Sequence, residues 1–129
     1  MRTAFAARAA GVALLLVGSP VAAHHSWTAE YDMAKPVTVK GVVVKVEWTN
    51  PHTHFYVESK DDKGTTTMWN FEMASTLSLE RAGWSRKTVQ VGEQVTITGY
   101  AGRNAVERAV AATMTSADGR ELFVGKPGQ

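Results

Sequence analysis

The sequence of 129 residues contains no cysteine, which excludes disulfide bonds, thiolate metal sites and thiol nucleophiles. It also has no G-x-S-x-G motif, no H-E-x-x-H motif and no phosphate-binding glycine loop. No serine is accompanied by a convincing His/Asp set, so nucleophilic catalysis has no support. We therefore expect a binding module and not an enzyme.

Residues 1–23, "MRTAFAARAAGVALLLVGSPVAA", have the three parts of a secretory signal peptide. Arg2 and Arg8 supply the positive charge, and the apolar residues 9–18 are shorter than the roughly 20 that a spanning helix needs. Pro20 and the small residues that follow it favour cleavage after Ala23, which would leave His24 as the first residue. We expect a periplasmic or secreted protein; the alternative is an uncleaved membrane anchor.

The chain that remains after this cleavage also has no excess of positive or negative charge. The whole chain has 14 Lys and Arg against 12 Asp and Glu, and the signal removes two arginines and no acid. The remaining chain is formally neutral, whereas a nucleic-acid-binding domain would keep a basic excess. Nucleic acid is therefore excluded as an expected partner. A chain of this size is enough for one domain.

The hydrophobic pattern predicts an all-β protein. Period-two alternation or β-branched enrichment marks five strands and a short sixth one, and "STLSLERAG" predicts one short helix capped by Ser75. The pattern covers strands in residues 37–49, 53–60 and 66–73, a turn and a fourth strand in 91–101, a fifth strand from 109 and a short sixth strand ending at Phe123, with the helix between the third and fourth. This order predicts a small closed or partly open antiparallel barrel that is OB-fold-like. An open antiparallel sandwich is the alternative.

The domain boundaries follow from the same pattern. We predict a signal peptide at 1–23, an N-terminal arm at 24–36, an OB-like domain at 37–125 and a disordered tail at 126–129. The alternation of the first strand slips near Gly41, which indicates a bulge that places Val42, Val44 and Val46 on one face. Four large aromatic residues are predicted to lie in the core: Trp48, Trp69, Phe71 and Trp84.

Several motifs together resemble a known family. They are "AHHSW" after the signal, "KPVTVKGVVVKVEWTNPHTHFYV", "WNFEM", "RAGW", "VGEQVTITGYA" and "DGRELF". The chain is similar to small exported bacterial proteins classed only as a domain of unknown function. Members typically carry an aromatic residue such as Trp where this chain has His54. The resemblance implies no catalytic residue, substrate or cofactor.

All four histidines fall into two pairs, His24-His25 and His52-x-His54. Cleavage after Ala23 would place an amine beside the His24 imidazole, and these two groups could chelate one ion. A nitrogen from His52 or His54 would complete an all-nitrogen site, which suits Cu(II) best and Zn(II) next. His25 offers a competing mode through the amine, a backbone amide and its own ring. The alternative is that the histidines bind metal only adventitiously, with no physiological role.

A second hypothesis concerns the outer face of the second and third strands, a frequent ligand platform in OB-folds. Tyr56, Asn70 and Glu72 are predicted to face outward there and could contact a small molecule or a protein. Glu47, Glu58 and Glu72 are expected on solvated strand faces and not in a pair for hydrolysis. A structural module of the cell envelope with no small ligand is the third hypothesis.

Overall fold

The computed structural model describes residues 27–125 of the chain. Six strands follow one another in the predicted order, with the predicted helix between the third and fourth strands, and a second helix that was not predicted precedes the first strand. They are α1 (Trp27–Glu30), β1 (Tyr31–Glu47), β2 (His54–Lys60), β3 (Thr66–Glu72), α2 (Thr76–Arg81), β4 (Gln94–Gly102), β5 (Arg108–Ser116) and β6 (Glu121–Val124). Neither helix is long and apolar enough to cross a membrane.

The strands form one sheet in the order β3-β2-β1-β4-β5-β6. Neighbours in this order are antiparallel, and a short parallel pairing between Asn70–Glu72 of β3 and Arg108–Val110 of β5 joins the first five strands into a ring. β6 lies outside the ring as an edge strand on β5. The predicted all-β, OB-fold-like architecture is confirmed, and the strands do not separate into the two sheets of a sandwich.

Strand β1 is 17 residues long and begins at Tyr31, six residues before the predicted start at Val37. Its first part pairs with β4 from Tyr31 to Val42, and its second part pairs with β2 from Val42 to Glu47. The valine alternation does not extend to residues 31–36, so they were expected in the N-terminal arm. Their pairing with β4 instead makes them part of the sheet.

The predicted change of phase in β1 occurs later than Gly41. Val39, Gly41 and Val43 are all buried, and the register with β2 shifts between Val43 and Lys45. Val42 and Val44 are consequently exposed, at 40% and 37%, whereas Val46 packs against the core, so the three valines do not share one face as expected. Glycine is required at position 41 by a close contact and not by a bulge, because a Cβ there would lie 2.3 Å from the Glu58 carbonyl oxygen of β2.

The core fills the inside of the ring. Its buried members come from every ring strand and from α2, and the largest aromatic among them is Trp84, just after the helix. The Trp84 ring meets Phe55 and Phe123 edge-on, at centroid distances of 6.1 and 6.2 Å. Phe71 and Trp84 are thus core residues as predicted. Trp48 and Trp69 are half-buried and pack against the core from its margin.

Helix α2 has the predicted ends. The Ser75 hydroxyl accepts a hydrogen bond from the Ser78 backbone N–H, which is the usual role of an N-cap residue. Gly83 follows the helix with a positive φ of 89°. Leu79 is buried on the core side, whereas Leu77 is exposed. The helix therefore contacts the core through a narrow face.

Candidate metal centre

The outer face of β2 and β3 carries the residues singled out in the sequence. His54 lies opposite Glu72 and Tyr56 lies opposite Asn70 in the antiparallel register, as predicted. Residues that alternate along a strand share a face, so these four side chains lie on the side away from Phe55 and Phe71. His54, Tyr56 and Asn70 are half-buried.

Glu72 differs from this expectation because it is only 5% exposed. Its Oε2 accepts hydrogen bonds from the Tyr31 hydroxyl and from Nη2 of Arg108, the latter at 2.7 Å. Its Oε1 lies 2.5 Å from Nδ1 of His52. Three residues from β1, β5 and the β1–β2 loop thus cover a carboxylate that the strand pattern places at the surface. Glu72 is a buried structural centre and not an open contact residue.

His52 lies in the loop between β1 and β2, just after the cis peptide bond between Asn50 and Pro51. The Thr49 hydroxyl donates to the His52 carbonyl oxygen at 3.3 Å, which helps to shape this loop. Since Nδ1 faces the Glu72 carboxylate, the neutral ring carries its proton on Nδ1 and its lone pair on Nε2. A carboxylate behind a histidine in this way is the common arrangement behind metal-binding imidazoles.

His54 is held in a similar manner. Its Nδ1 lies 2.9 Å from Oδ1 of Asn70 on the adjacent strand, so Nδ1 donates and Nε2 again keeps the lone pair. Both histidines line one cleft of about 320 Å³, together with Glu30, Glu47, Glu72 and Arg108. Tyr56 is turned toward Glu47 and donates to its Oε2 at 3.3 Å. The structure therefore brings His52 and His54 to one cleft, and Tyr56 is hydrogen-bonded to Glu47, which also lines it.

Helix α1, which begins the described N-terminal segment, lies beside this cleft. The Trp27 ring lies against the His52 ring, with centroids 4.9 Å apart, and against Tyr31 at 5.8 Å. Arg103 fastens the same segment by donating from its backbone N–H to the Glu30 carbonyl oxygen at 2.9 Å and from Nε to the Thr28 carbonyl oxygen at 2.8 Å. The position of residue 27 is thus fixed beside His52.

The charges of the cleft stabilise one protonation state. Burial raises the pKa of Glu72, but the hydrogen bonds from Tyr31 and Arg108 and the charges of His52 and Arg108 outweigh it, so the pKa lies below its ordinary value. Burial and the Glu72 carboxylate both raise the pKa of Tyr31. Burial lowers the pKa of Arg108, but its hydrogen bond to Glu72 and its interactions with the Glu72 and Tyr31 side chains together outweigh this, so the pKa is raised. Glu72 is therefore an anion and Tyr31 a neutral donor at neutral pH.

Two of the four predicted metal ligands, His24 and His25, lie outside the described residues. Within residues 27–125, no three His, Asp or Glu side chains are grouped so that they could hold a metal ion. The two described histidines would therefore need donors from the preceding segment. Sequence reasoning missed Arg108 and also missed the role of Tyr31, which it assigned to the arm. Neither has a local signal, because their contacts with Glu72 span 36 and 41 residues.

Comparisons with known proteins give a family and a set of remote structural likenesses. The model of the Family of unknown function (DUF6152) matches residues 12–111. No curated protein matches the chain.

The N-terminal domain of PriB protein from Thermoanaerobacter tencongensis is 18% identical with a TM-score of 0.48, and the alignment covers 65% of this chain and 97% of that one. The mitochondrial single-stranded DNA binding protein Rim1 from S. cerevisiae is 10% identical with a TM-score of 0.48, covering 74% and 99%. Likeness at this level says nothing of what this chain binds.

Proposed function

We propose that this chain, which belongs to the Family of unknown function (DUF6152), is an exported periplasmic binding module that holds one Cu(II) ion and catalyses no reaction. The ion would be bound by the amine and imidazole of His24 after cleavage behind Ala23, with Nε2 of His52 as the third nitrogen. His54 lies in the same cleft and is the alternative third ligand. His25 supplies the competing mode at the same terminal amine.

The observation that carries this proposal is the contact between Trp27 and His52, whose ring centroids are 4.9 Å apart. Three peptide units separate His24 from Trp27, so their Cα atoms are at most about 11 Å apart. A terminus that starts at His24 is therefore within reach of the His52 ring. A shared site requires this proximity of the two histidine pairs, and the contact of Trp27 with His52 supports it.

The chemistry of the donors favours Cu(II). Nitrogen ligands in a tetragonal arrangement suit this ion, which also stands at the top of the affinity series for divalent metals. The terminal amine has an ordinary pKa of about 7.7–8.0 and can lose its proton to a metal near neutral pH. Zn(II) is the second choice, because it prefers a tetrahedral set of four ligands.

A Cu(II) titration by calorimetry and EPR tests the proposal. The protein would be purified from the periplasm, with His24 confirmed as the first residue by mass spectrometry. We expect one tight equivalent with nitrogen hyperfine structure. Affinity should fall at least tenfold when one residue is added before His24, and by a similar factor in His52→Ala. His25→Ala is the matched control that keeps the amine and the His24 ring, and it should retain tight binding.

The opposite results separate the alternatives. Binding that is weak, or that ignores both the added residue and the loss of His52, would overturn the shared site. Binding that depends on His25 and not on His52 would assign the metal to the terminal segment alone. Finding cleavage elsewhere than behind Ala23 would remove the amine from the site.

A further inference from the structure

Glu72 lies behind His52, and its two oxygens face different partners. Oε1 lies 2.5 Å from Nδ1 of His52, while Oε2 accepts from Tyr31 and from Arg108. The carboxylate can accept on both sides at once because neither oxygen carries a proton. All three neighbours can therefore donate to Glu72, His52 through a proton on Nδ1.

We propose that Glu72 is a positioning residue that selects the Nδ1–H tautomer of His52 and thereby presents the Nε2 lone pair to the cleft. This inference rests on the proposed function for its purpose, but the tautomer exists before any metal arrives. Glu72 itself is not a ligand, since both of its oxygens are engaged from inside the protein. It was predicted as a contact residue on the outer face and instead acts through its neighbour.

Tyr31 and Arg108 set the orientation of the carboxylate. The Arg108 guanidinium also lies over the Tyr31 ring, 5.4 Å from its centroid, so the two donors support each other on the Oε2 side. A second bond, from Nη2 of Arg108 to Oε2 of Glu30 at 3.0 Å, connects this side to the N-terminal segment. Glu72 thus connects His52 to the element that would deliver the terminal nitrogen.

The substitution Glu72→Gln provides a sharp test because an amide has only one acceptor oxygen. Two donors lie on the Oε2 side and one on the Oε1 side, so the amide oxygen is expected to face Tyr31 and Arg108. The amide NH₂ would then point at Nδ1 of His52, which must become the acceptor. The proton of the neutral ring would move to Nε2, where it blocks a metal ion.

The measurement is a long-range ¹⁵N–¹H correlation spectrum of the imidazole nitrogens in the metal-free protein, at about pH 8.5, above the ordinary imidazole range. We expect the Nδ1–H tautomer of His52 in the wild type and the Nε2–H tautomer in Glu72→Gln. Glu58→Gln is the matched control, because it makes the same change on the outer face of β2, opposite Met68 and four residues along the strand from His54. It should keep the Nδ1–H tautomer.

A Cu(II) titration of the same three proteins completes the test. The affinity of Glu72→Gln is expected to fall 10- to 100-fold, as is typical when a group behind a metal ligand is changed, with loss of one nitrogen from the hyperfine pattern. Glu58→Gln should stay within a few-fold of the wild type. The wild-type spectrum alone decides the matter if Glu72→Gln does not fold.

An Nε2–H tautomer or a doubly protonated ring in the wild type would overturn this inference, as would an unchanged tautomer in a folded Glu72→Gln. A wild-type Nδ1–H tautomer without a tight equivalent of copper would overturn the proposed function instead. It would leave the control of the ring by Glu72 standing.

Discussion

Gly99 of β4 and Val110 of β5 approach each other so closely that a Cβ on Gly99 would lie 2.0 Å from the Val110 carbonyl oxygen. The register of the two strands shifts between Thr98 and Gly99 at this point. The close approach continues the alternation Val95, Ile97, Gly99, in which each residue is buried. A hydrogen atom is the only side chain that fits between these strands.

We therefore expect Gly99→Ala to lower the free energy of unfolding by about 3 kcal/mol or more, because backbone must move to accommodate the methyl group. Gly64→Ala is the control, since Gly64 has a φ of 78° but no atom lies within 4 Å of the place that a methyl group would take. It should cost only the roughly 1–2 kcal/mol of the left-handed backbone. Urea unfolding measures both, and an equal cost for the two variants would contradict the close approach.

The charge on Glu72 predicts a pH dependence of stability. Its pKa in the folded protein lies below the ordinary value of about 4.3. The unfolded chain therefore takes up a proton first, and the stabilisation is complete above the ordinary pKa and is lost as the pH falls through the folded one. Between pH 7 and pH 3, the wild type should lose more unfolding free energy than Glu72→Gln. Parallel curves from urea unfolding would contradict this.

Thr53 is fully buried, and its hydroxyl is a buried side-chain oxygen without a hydrogen-bond partner in the structure. Its backbone is well used, because Thr53 N–H donates to the Ala74 carbonyl oxygen and its own carbonyl accepts from Met73. Thr53→Val should therefore leave stability unchanged or raise it by up to about 1 kcal/mol. Thermal unfolding is a sufficient measurement.

Thr98→Val is the matched control for this change. The Thr98 and Thr113 hydroxyls lie 2.5 Å apart, so replacing one leaves the other without its partner. We expect a loss of about 1 kcal/mol, opposite in direction to Thr53→Val. A loss at Thr53 as large as at Thr98 would mean that the Thr53 hydroxyl has a partner after all.

The cap of α2 gives a further prediction. Ser75→Ala removes the hydroxyl that accepts from the Ser78 N–H, and a change of this kind costs about 1 kcal/mol. Leu77→Ala, on the exposed side of the same helix, should stay within about 0.5 kcal/mol. Chemical unfolding of the two variants side by side separates a cap effect from a general sensitivity of the helix.

The sequence predicted the strand order, the helix and the shared face of His54, Tyr56 and Asn70 on β2 and β3, since these depend on local alternation and turn signals. It placed the phase change of β1 at Gly41 because glycine and the valine pattern coincide there. The actual bulge near Val44 has no such signal in "VVVK", where consecutive valines satisfy either register. The start of β1 was also missed, because residues 31–36 have no hydrophobic alternation and belong to the strand only through their pairing with β4.

In the candidate site, too, the residues with local sequence signals were predicted and those that depend on long-range contacts were not. His52, His54, Asn70 and Glu72 were found because they are chemically distinctive and close along two paired strands. The burial of Glu72 could not be predicted, because it depends on Tyr31 and Arg108, which come from the beginning of β1 and the beginning of β5. Long-range contacts of this kind leave no periodic trace in the chain.

The length of β1 bears on the order in which the protein can assemble. Val42 pairs with Glu58 on one side and with Gln94 on the other. The second pairing can form only when the residues up to Gln94, about fifty positions after Val42, are available. Until then one edge of β1 stays unsatisfied, and the ring cannot close before β5 arrives to meet β3. Pairings between distant segments form slowly. A chain built in this way stays unfolded for longer as it emerges, which is the state in which a polypeptide can still be threaded through a narrow channel.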